Sequence, residues 1–236
     1  MSKSIQIARN VLSLTVMLIA AQIALAAEPV VSGNPAPTAD MLMKRPGTLG
    51  VFEPQADGSV RHVQSGFVCP AQLPNVNFWG LQVIPSPLGP GTDVGCDYGR
   101  VAGGQIANGA EAKFTIYLVK AQTGMTLDDA FRRYQMEMFG ANPNARSTGD
   151  VLRFQGSTDG LPGVRSEGAA IAIGNRPYKT ELVVSLVRGW IIEIRSTYPT
   201  AFTPGDPSTG IDIPASPTVW ATAVAAFAKA NEVNAK

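Results

Sequence analysis

Residues 180–198 read TELVVSLVRGWIIEIRSTY, and this stretch decides the fold. β-Branched and aromatic side chains lie on both sides of Arg188-Gly189, a pattern typical of two strands joined by a two-residue loop that contains glycine. With this loop Val187 faces Trp190, and the cross-strand pairs that follow on the same side are almost wholly apolar. The sequence therefore predicts an antiparallel hairpin with one apolar face.

The other face of the hairpin changes character along its length. Near the turn it carries Leu186 and Ile191, whereas Glu193 and Arg195 lie at the far end, followed by Thr197. A sheet that is apolar on one whole face and on part of the other needs cover on both sides, which indicates packed helices or a second sheet. The candidate ligand-binding site is the charged end, formed by Glu193, Arg195 and Thr197; the alternative is a cross-strand ion pair at the sheet rim.

The N-terminal segment 1–27 has the pattern of a signal peptide. Lys3 and Arg9 supply positive charge, an apolar run follows at 11–21, and small residues lie at the cleavage positions near its end. An uncleaved membrane anchor is the alternative, but the run is shorter than the ~20 apolar residues that a span needs. The sequence therefore predicts an exported, periplasmic protein that is not an integral membrane protein after cleavage.

The charge balance bears on the class of partner. Without Lys3 and Arg9 the chain keeps 17 basic residues against 18 acidic ones, a formal charge of −1. Basic residues adjoin only as pairs, such as Lys44-Arg45 and Arg132-Arg133. Because binding to phosphate backbones requires a basic face, a nucleic-acid partner is not expected.

Both cysteines, Cys69 and Cys96, lie in the exported part of the chain. In an oxidising compartment two cysteines are most simply one disulfide, and a metal site would need more ligands than the sequence places nearby. A redox-active pair would have the Cys-x-x-Cys spacing, which is absent. The expected disulfide closes a loop of nearly thirty residues, and a closure of that length stabilises a domain by about 3 to 4 kcal/mol.

The rest of the chain is predicted to be one α+β domain. A flexible, proline-rich lead-in at 28–47 precedes a single domain at 48–236, whose strands form an antiparallel, meander-rich sheet. A polar loop is expected at 141–150, and a long proline-rich loop at 199–217 would form a wall beside the charged end of the hairpin. The predicted strands are at 60–69, 78–84, 94–98, 113–120, 151–155, 164–173, 178–187 and 190–198.

Two packing helices are predicted, at about 127–139 and 217–233. Thr126 is a suitable N-cap for the first helix, apolar residues recur at helical spacing, and Gly140 is expected to end it. Pro217 at the first position begins the second helix. Two solvent-side ion pairs of i,i+4 spacing are expected on the first helix: Asp128 with Arg132, and Asp129 with Arg133.

This order of elements, across 60–233, resembles the PsbP-like α/β sandwich, a fold shared by extrinsic photosystem subunits and assorted accessory proteins. The resemblance implies a binding or assembly role without catalysis. No functional residue is carried over, because the likeness is one of element order. A two-layer α+β domain with both helices on one face is the alternative.

The sequence carries no recognisable catalytic or cofactor motif. His62 is the only histidine, with Ser65 close by, but a Gly-x-Ser-x-Gly elbow is absent, so a strand histidine is favoured over a catalytic one. The oxygen-rich run at 206–212 lacks the closing glutamate of a calcium loop and is interpreted as a turn. No metal and no cofactor are therefore expected.

The function expected from these observations is that of an exported, non-enzymatic binding or accessory protein, which recognises an envelope protein or a small ligand. A cell-envelope hydrolase with a dispersed active site is one alternative, and a purely structural envelope component is the other. A deep pocket holding His62, a hydroxyl and a carboxylate would favour the hydrolase, whereas a shallow surface would favour binding.

Overall fold

The computed structural model describes residues 38–73, 76–100, 112–149, 163–201, 219–225 and 227. These residues lie within the compact unit Ser32–Lys236. The described helices are α1 (Ala39–Leu42), α2 (Leu127–Ala141) and a π-helical segment at Ala221–Ala225. The described strands are β1 (Phe52–Pro54), β2 (Val60–His62), β3 (Val68–Cys69), β4 (Gln72–Leu73), β5 (Val76–Val83), β6 (Asp93–Arg100), β7 (Ala112–Lys120), β8 (Arg146–Gly149), β9 (Val164–Ile173), β10 (Arg176–Val187) and β11 (Trp190–Pro199).

The strands form two antiparallel sheets. The large sheet has the order β4-β5-β6-β7-β11-β10-β9-β8, and the small sheet has the order β1-β2-β3. Within each sheet, strands that follow each other in sequence are neighbours, with one exception. The strands β7 and β8 are not adjacent, because β11 returns to pair with β7. The predicted fold class, an α+β sandwich built on an antiparallel meander, is confirmed.

The central hairpin forms in the predicted register. Val187 pairs with Trp190 across the turn, and the register continues without a break to the ends of β10 and β11. Arg188 and Gly189 have φ angles of 54° and 73°, the pair of positive values that a two-residue turn of type I′ requires. This turn therefore fixes which side chains of β10 and β11 point to each face.

One face of the large sheet, here called the closed face, is covered by the small sheet and by the C-terminal helical residues. Trp190 of β11 makes an edge contact with the His62 ring of β2 at 5.3 Å. The indole nitrogen of buried Trp220 donates a hydrogen bond of 2.8 Å to Ser185 of β10. The predicted disulfide joins Cys69 of the small sheet to Cys96 of the large sheet, with 6.0 Å between their Cα atoms. Hydrophobic and covalent contacts thus hold this layer together.

The opposite face, here called the α2 face, is covered by α2 over β9 and β10. Ala130, Tyr134 and Met138 lie four residues apart on the buried side of α2, which is the spacing of one helical face. They pack against an apolar patch formed by Leu182, Val184 and Ile191. Because α2 and the C-terminal helical residues cover opposite faces, the alternative with both helices on one face is wrong.

The N-terminus of α2 forms as predicted, but its ion pairs do not. Thr126 caps the helix through a capping box with Asp129. That geometry brings Asp129 within 2.7 Å of Arg132, at i,i+3 spacing, while Arg133 pairs with Glu137. Asp128 pairs instead with Arg165 of β9. The predicted i,i+4 partners were wrong because a cap and a neighbouring strand compete for the same carboxylates. Gly140 does not end the helix, which continues to Ala141.

Two further predictions about secondary structure were wrong. The strand expected at 60–69 is a tight hairpin of β2 and β3, because Gly66 adopts a φ of 76° and reverses the chain. The polar loop expected at 141–150 contains β8, whose side chains carry no apolar pattern and which pairs with β9. An edge strand of this kind forms through backbone hydrogen bonds and cannot be recognised from periodicity.

Other predictions fall partly or wholly outside the described residues. The lead-in at 28–47 is described from residue 38, where it forms α1 and buries Leu42 completely, so this part is not simply extended. The second helix is described only at 219–225 and 227. The signal segment at 1–27, the strand predicted at 151–155 and the oxygen-rich run at 206–212 lie outside the described residues. Among the residues that are described, no helix is long and apolar enough to cross a membrane.

Candidate functional site

The α2 face becomes polar where the apolar contacts of α2 end. Register places Gln82, Tyr117 and Glu193 in one row across β5, β7 and β11, with Gly95 of β6 between the first two. The next row holds Asp97, Thr115 and Arg195 on β6, β7 and β11. We call these six side chains the polar half-face: Gln82, Asp97, Thr115, Tyr117, Glu193 and Arg195.

Glu193 and Arg195, two of the predicted site residues, form an ion pair on this half-face. Both residues belong to β11, which is an interior strand of the sheet. The pair is therefore not a cross-strand contact at the rim. The Glu193 side chain is 4% exposed and that of Arg195 is 30% exposed. The Arg195 guanidinium also lies 6.0 Å from the centre of the Tyr117 ring, within the range of a cation–π contact.

Burial raises the pKa of Glu193 to about 7, against the opposing effect of the Arg195 charge and hydrogen bond. Desolvation disfavours the charged form of a carboxyl, and Glu137 and Asp93 add negative charge nearby. The carboxyl is therefore poised to change charge near neutral pH. Among the described residues, the buried Nε of Arg195 has no hydrogen-bond partner.

Asp97 is the centre of a second network, which sequence analysis missed. Gln82 donates a hydrogen bond of 2.6 Å to one carboxylate oxygen, and Thr115 donates one of 2.8 Å to the other. Lys113 lies 3.9 Å from the same oxygen as Thr115, and the Asp97 side chain is 15% exposed. Three neighbours on two strands therefore hold this carboxylate in one orientation.

Two glycines form the floor beside these networks. A Cβ on Gly95 would lie 3.2 Å from the Tyr117 ring. A Cβ on Gly80 would lie 2.9 Å from the Arg45 guanidinium, which donates a hydrogen bond of 3.2 Å to the carbonyl of Trp79. The absence of side chains at these two positions lets an aromatic ring and a cation lie flat against the sheet.

A small pocket of about 230 Å³ opens at the edge of the polar half-face. Two cationic side chains, Arg45 and Lys113, face it together with the Trp79 side chain and the Asp97 carboxylate. One feature of the sequence indicates this pocket: Asp97 is a charged residue in a predicted strand, between residues of the core. The lining residues are Arg45, Trp79, Asp97, Tyr98, Gly99, Ala112 and Lys113.

Thr197, the third predicted site residue, is not part of the ion pair. Its hydroxyl shares a hydrogen bond of 3.1 Å with the hydroxyl of Thr180 on the neighbouring strand β10. Thr180 is buried and also donates to the carbonyl of Ser196. The structure thus brings Glu193 and Arg195 together and leaves Thr197 in a separate contact. The loop proposed as the wall of the site lies outside the described residues beyond 201.

His62 lies on the closed face, away from the polar half-face. It is fully buried, shares a hydrogen bond of 2.8 Å with Ser65, and makes edge contacts with the Phe52 and Trp190 rings. Burial lowers the pKa of His62 to about 4, opposed by a hydrogen bond with the backbone of Gly91. Among the described residues, no carboxylate contacts the ring, and its Nε2 lacks a side-chain or backbone acceptor of good geometry. The ring is thus a poor base at neutral pH.

The search for a metal centre and the comparisons with known proteins give no further assignment. Within the described ranges, no three His, Cys, Asp or Glu side chains are grouped closely enough to hold a metal ion. No protein-family model matches the chain, and no curated protein matches it significantly. The geometry of the described residues is therefore the basis for a functional assignment.

Proposed function

We propose that this chain is an exported, periplasmic, non-enzymatic binding or accessory protein, and that it recognises its partner with the polar half-face. The single observation that carries this proposal is the set of polar side chains held in fixed orientations on the part of the sheet beyond the apolar contacts of α2. Gln82 and Thr115 fix Asp97, and Arg195 is fixed by Glu193. Preorganised polar groups of this kind favour binding because little side-chain entropy is lost when a partner docks.

The charges around the polar half-face favour an anionic group on the partner. Arg45, Lys113 and Arg195 supply three cations near the floor of the site, whereas Asp97 has two hydrogen-bond donors of its own. A partner carboxylate or phosphate would meet the guanidinium groups and the exposed ammonium of Lys113. The negative charge of Glu193 is reduced at neutral pH, because burial raises its pKa to about 7. We therefore infer recognition of an acidic side chain or a small anionic ligand.

The resemblance to the PsbP-like sandwich and the signal-like segment at 1–27 supply the context of the proposal. An accessory domain of that architecture works by docking, and the disulfide between Cys69 and Cys96 suits an oxidising compartment. The hydrolase alternative is disfavoured by His62, which does not line the pockets at Asp57, at Gln64 or at Asp97 and whose hydrogen-bond partner is the Ser65 hydroxyl. Catalysis by such a pair would lack the group that orients the histidine.

The proposal is tested by photo-crosslinking in intact cells. Benzoylphenylalanine at Tyr117 would report on the polar half-face, and the same residue at Met136, which is 69% exposed on α2, would serve as the matched control. We expect one defined envelope species to be captured from Tyr117 and not from Met136. Native mass spectrometry of the purified chain would reveal a small anionic ligand instead.

A charge reversal completes this test. Lys113→Glu changes a side chain that is 54% exposed and should leave the fold intact while it abolishes the crosslink or the bound ligand. Arg132→Glu, on a side chain that is 70% exposed on α2, is the control and should change neither. Equal capture from both crosslinker positions, or binding that is insensitive to Lys113→Glu, would overturn the proposal.

A further inference from the structure

A second pocket, of about 390 Å³, lies between the small sheet and the C-terminal helical residues. Its volume is within the range of sites that enclose small organic molecules. It is separate from the polar half-face in the residues that line it and in their chemistry. The lining consists of Asp57, Ser59, Gly66, Val68, Pro70, Ala71, Gln72, Thr222, Ala223 and Phe227.

The wall of this pocket is mainly apolar. Val68, Pro70 and Ala71 contribute from the chain around β3, and Ala223 and Phe227 contribute from the helical side. Val68 is 40% exposed although it is a β-branched residue in a strand, so apolar surface lies open toward the pocket. An apolar body bound here would remove this surface from water, which is the main driving force for binding in such sites.

The pocket is braced on two sides. Cys69, between lining residues Val68 and Pro70, is bonded to Cys96 of the large sheet. On the helical side the Phe227 ring makes an edge contact with Phe67 at 5.5 Å. These contacts hold the two walls in position before any ligand arrives, which lowers the entropic cost of binding.

Asp57 is the only charged side chain among the described residues that line the pocket. One of its carboxylate oxygens accepts hydrogen bonds from the backbone nitrogen of Ser59, at 3.0 Å, and from the Ser59 hydroxyl, at 2.6 Å. These bonds hold the pKa of Asp57 below its usual value, so the group is a carboxylate at neutral pH. These hydrogen bonds fix the orientation of the carboxylate.

We propose that this pocket binds a small amphiphile with an apolar body and one amine. The body packs against the apolar wall and the Phe227 ring, and the ammonium group lies at the Asp57 carboxylate at the rim. The required charge is opposite to the one expected at the polar half-face. The two sites are therefore independent, and failure at one does not imply failure at the other.

Calorimetry with three probes of one shape tests this inference on the purified chain. The probes are 4-phenylbutylamine, 4-phenylbutan-1-ol and 4-phenylbutanoate, which share a phenyl ring on a four-carbon chain and end in an ammonium, a hydroxyl and a carboxylate group, respectively. We expect the amine to bind most tightly, the alcohol more weakly and the carboxylate most weakly. Since exposed charge pairs contribute modestly, the amine should exceed the alcohol roughly three- to tenfold in affinity.

Two variants locate the binding. Asp57→Asn keeps an oxygen that can accept from Ser59, so the turn is retained, and it should bring the amine to the affinity of the alcohol. Ala71→Leu fills the pocket from a partly exposed position and should weaken all three probes at least tenfold. Asp40→Asn, on an exposed carboxylate of α1 that does not line the pocket, is the control and should leave every affinity unchanged.

The proposal is overturned by any of three results: no heat of binding with any probe, equal affinity for the amine and the carboxylate, or amine binding that survives Ala71→Leu. Urea denaturation of each variant verifies that it folds. If Ala71→Leu does not fold, Thr222→Leu, which enters the pocket from the exposed helical side, replaces it and carries the same expectation.

Discussion

The two faces of the large sheet are built from the same strands but are closed in different ways. The closed face carries Val183, Ile192 and Ile194 against the small sheet and the C-terminal helical residues, and a disulfide ties its layers together. The α2 face is apolar only under α2 and then becomes a hydrogen-bonded polar surface. Because side chains alternate along a strand, the turn at Arg188-Gly189 places Val183, Ile192 and Ile194 on the closed face and Glu193 and Arg195 on the α2 face.

His62 on the closed face and Glu193 on the α2 face are both buried titratable groups, and the two respond to pH in opposite directions. Burial lowers the pKa of His62 on the closed face to about 4 and raises the pKa of Glu193 on the α2 face to about 7. In both cases burial favours the neutral form. Both groups are therefore neutral between these two pKa values, and charges appear on the closed face in acid and on the α2 face in base.

The largest expected effect comes from removing the anchor of the closed face. Trp220→Ala leaves a cavity under the C-terminal helical residues and deprives the buried Ser185 hydroxyl of a donor. We expect the free energy of unfolding to fall by about 4 kcal/mol, as for other buried tryptophans. Urea denaturation measures this, with Met136→Ala on exposed α2 surface as the control. A loss below about 1 kcal/mol would mean that the helical residues do not close this face.

The next largest effect is expected when the disulfide between Cys69 and Cys96 is removed. Replacing Cys69 and Cys96 together by alanine removes a loop closure that spans 27 residues, and the chain-entropy model gives a loss of about 3.5 kcal/mol. Wild-type chain in reducing agent should match the double variant in a chemical denaturation curve. The α2 face should be spared, so Lys113-dependent partner binding should persist at low denaturant. If partner binding and stability are lost in parallel, the two faces are not independent.

Glu193→Gln tests how the α2 face makes stability depend on pH. Between pH 4.5 and 7 the native carboxyl keeps its proton while the unfolded one loses it, so stability falls as the pH rises through this window. The variant removes this contribution, and its free energy of unfolding should gain about 3 kcal/mol relative to wild type from pH 4.5 to pH 8. Met136→Ala, on exposed α2 surface, is the control and should leave the pH dependence of stability unchanged. A constant difference across the range would contradict the raised pKa.

His62→Gln should change the pH dependence of stability by about as much as Glu193→Gln does, with the opposite sign. Between pH 6.5 and 4 the histidine of the unfolded chain becomes protonated while the buried native ring stays neutral. This group therefore lowers the free energy of unfolding as the pH falls. Relative to wild type, the free energy of unfolding of the variant should gain about 3 kcal/mol as the pH falls from 8 to 4. The two contributions oppose each other between pH 4.5 and 6.5, so the double variant with Glu193→Gln should show neither slope. Unchanged acid stability of His62→Gln would refute the buried neutral state.

Sequence patterns correctly predicted the features that depend on residues close together in the sequence. The register of the central hairpin follows from its turn, and the start of α2 follows from the Thr126 cap. Where several groups compete, the predictions were wrong: Asp128 pairs with Arg165 across a distance of 37 residues in sequence. The strand β8 was missed because a polar edge strand has no apolar period.

The candidate site was predicted only in part, because its residues come from strands distant in sequence. Glu193 and Arg195 were found since they share one strand, and their alternation is visible in the sequence. Asp97 was not found, because its partners Gln82 and Thr115 are 15 and 18 residues away and meet it only through register. The pocket at Asp57 was also absent from the sequence analysis, since it forms between the small sheet and the helical residues.

The sequence alone determined the hairpin, the pairing of its two cysteines, the cap of α2 and the need for cover on both faces. Each of these follows from local backbone preference, from side-chain alternation or from the absence of a competing partner. Tertiary structure decided that β11 returns to pair with β7, and this pairing sets the Glu193–Arg195 pair beside the Asp97 network. Long-range strand pairing depends on the packing of the whole core, and no short stretch of sequence encodes it.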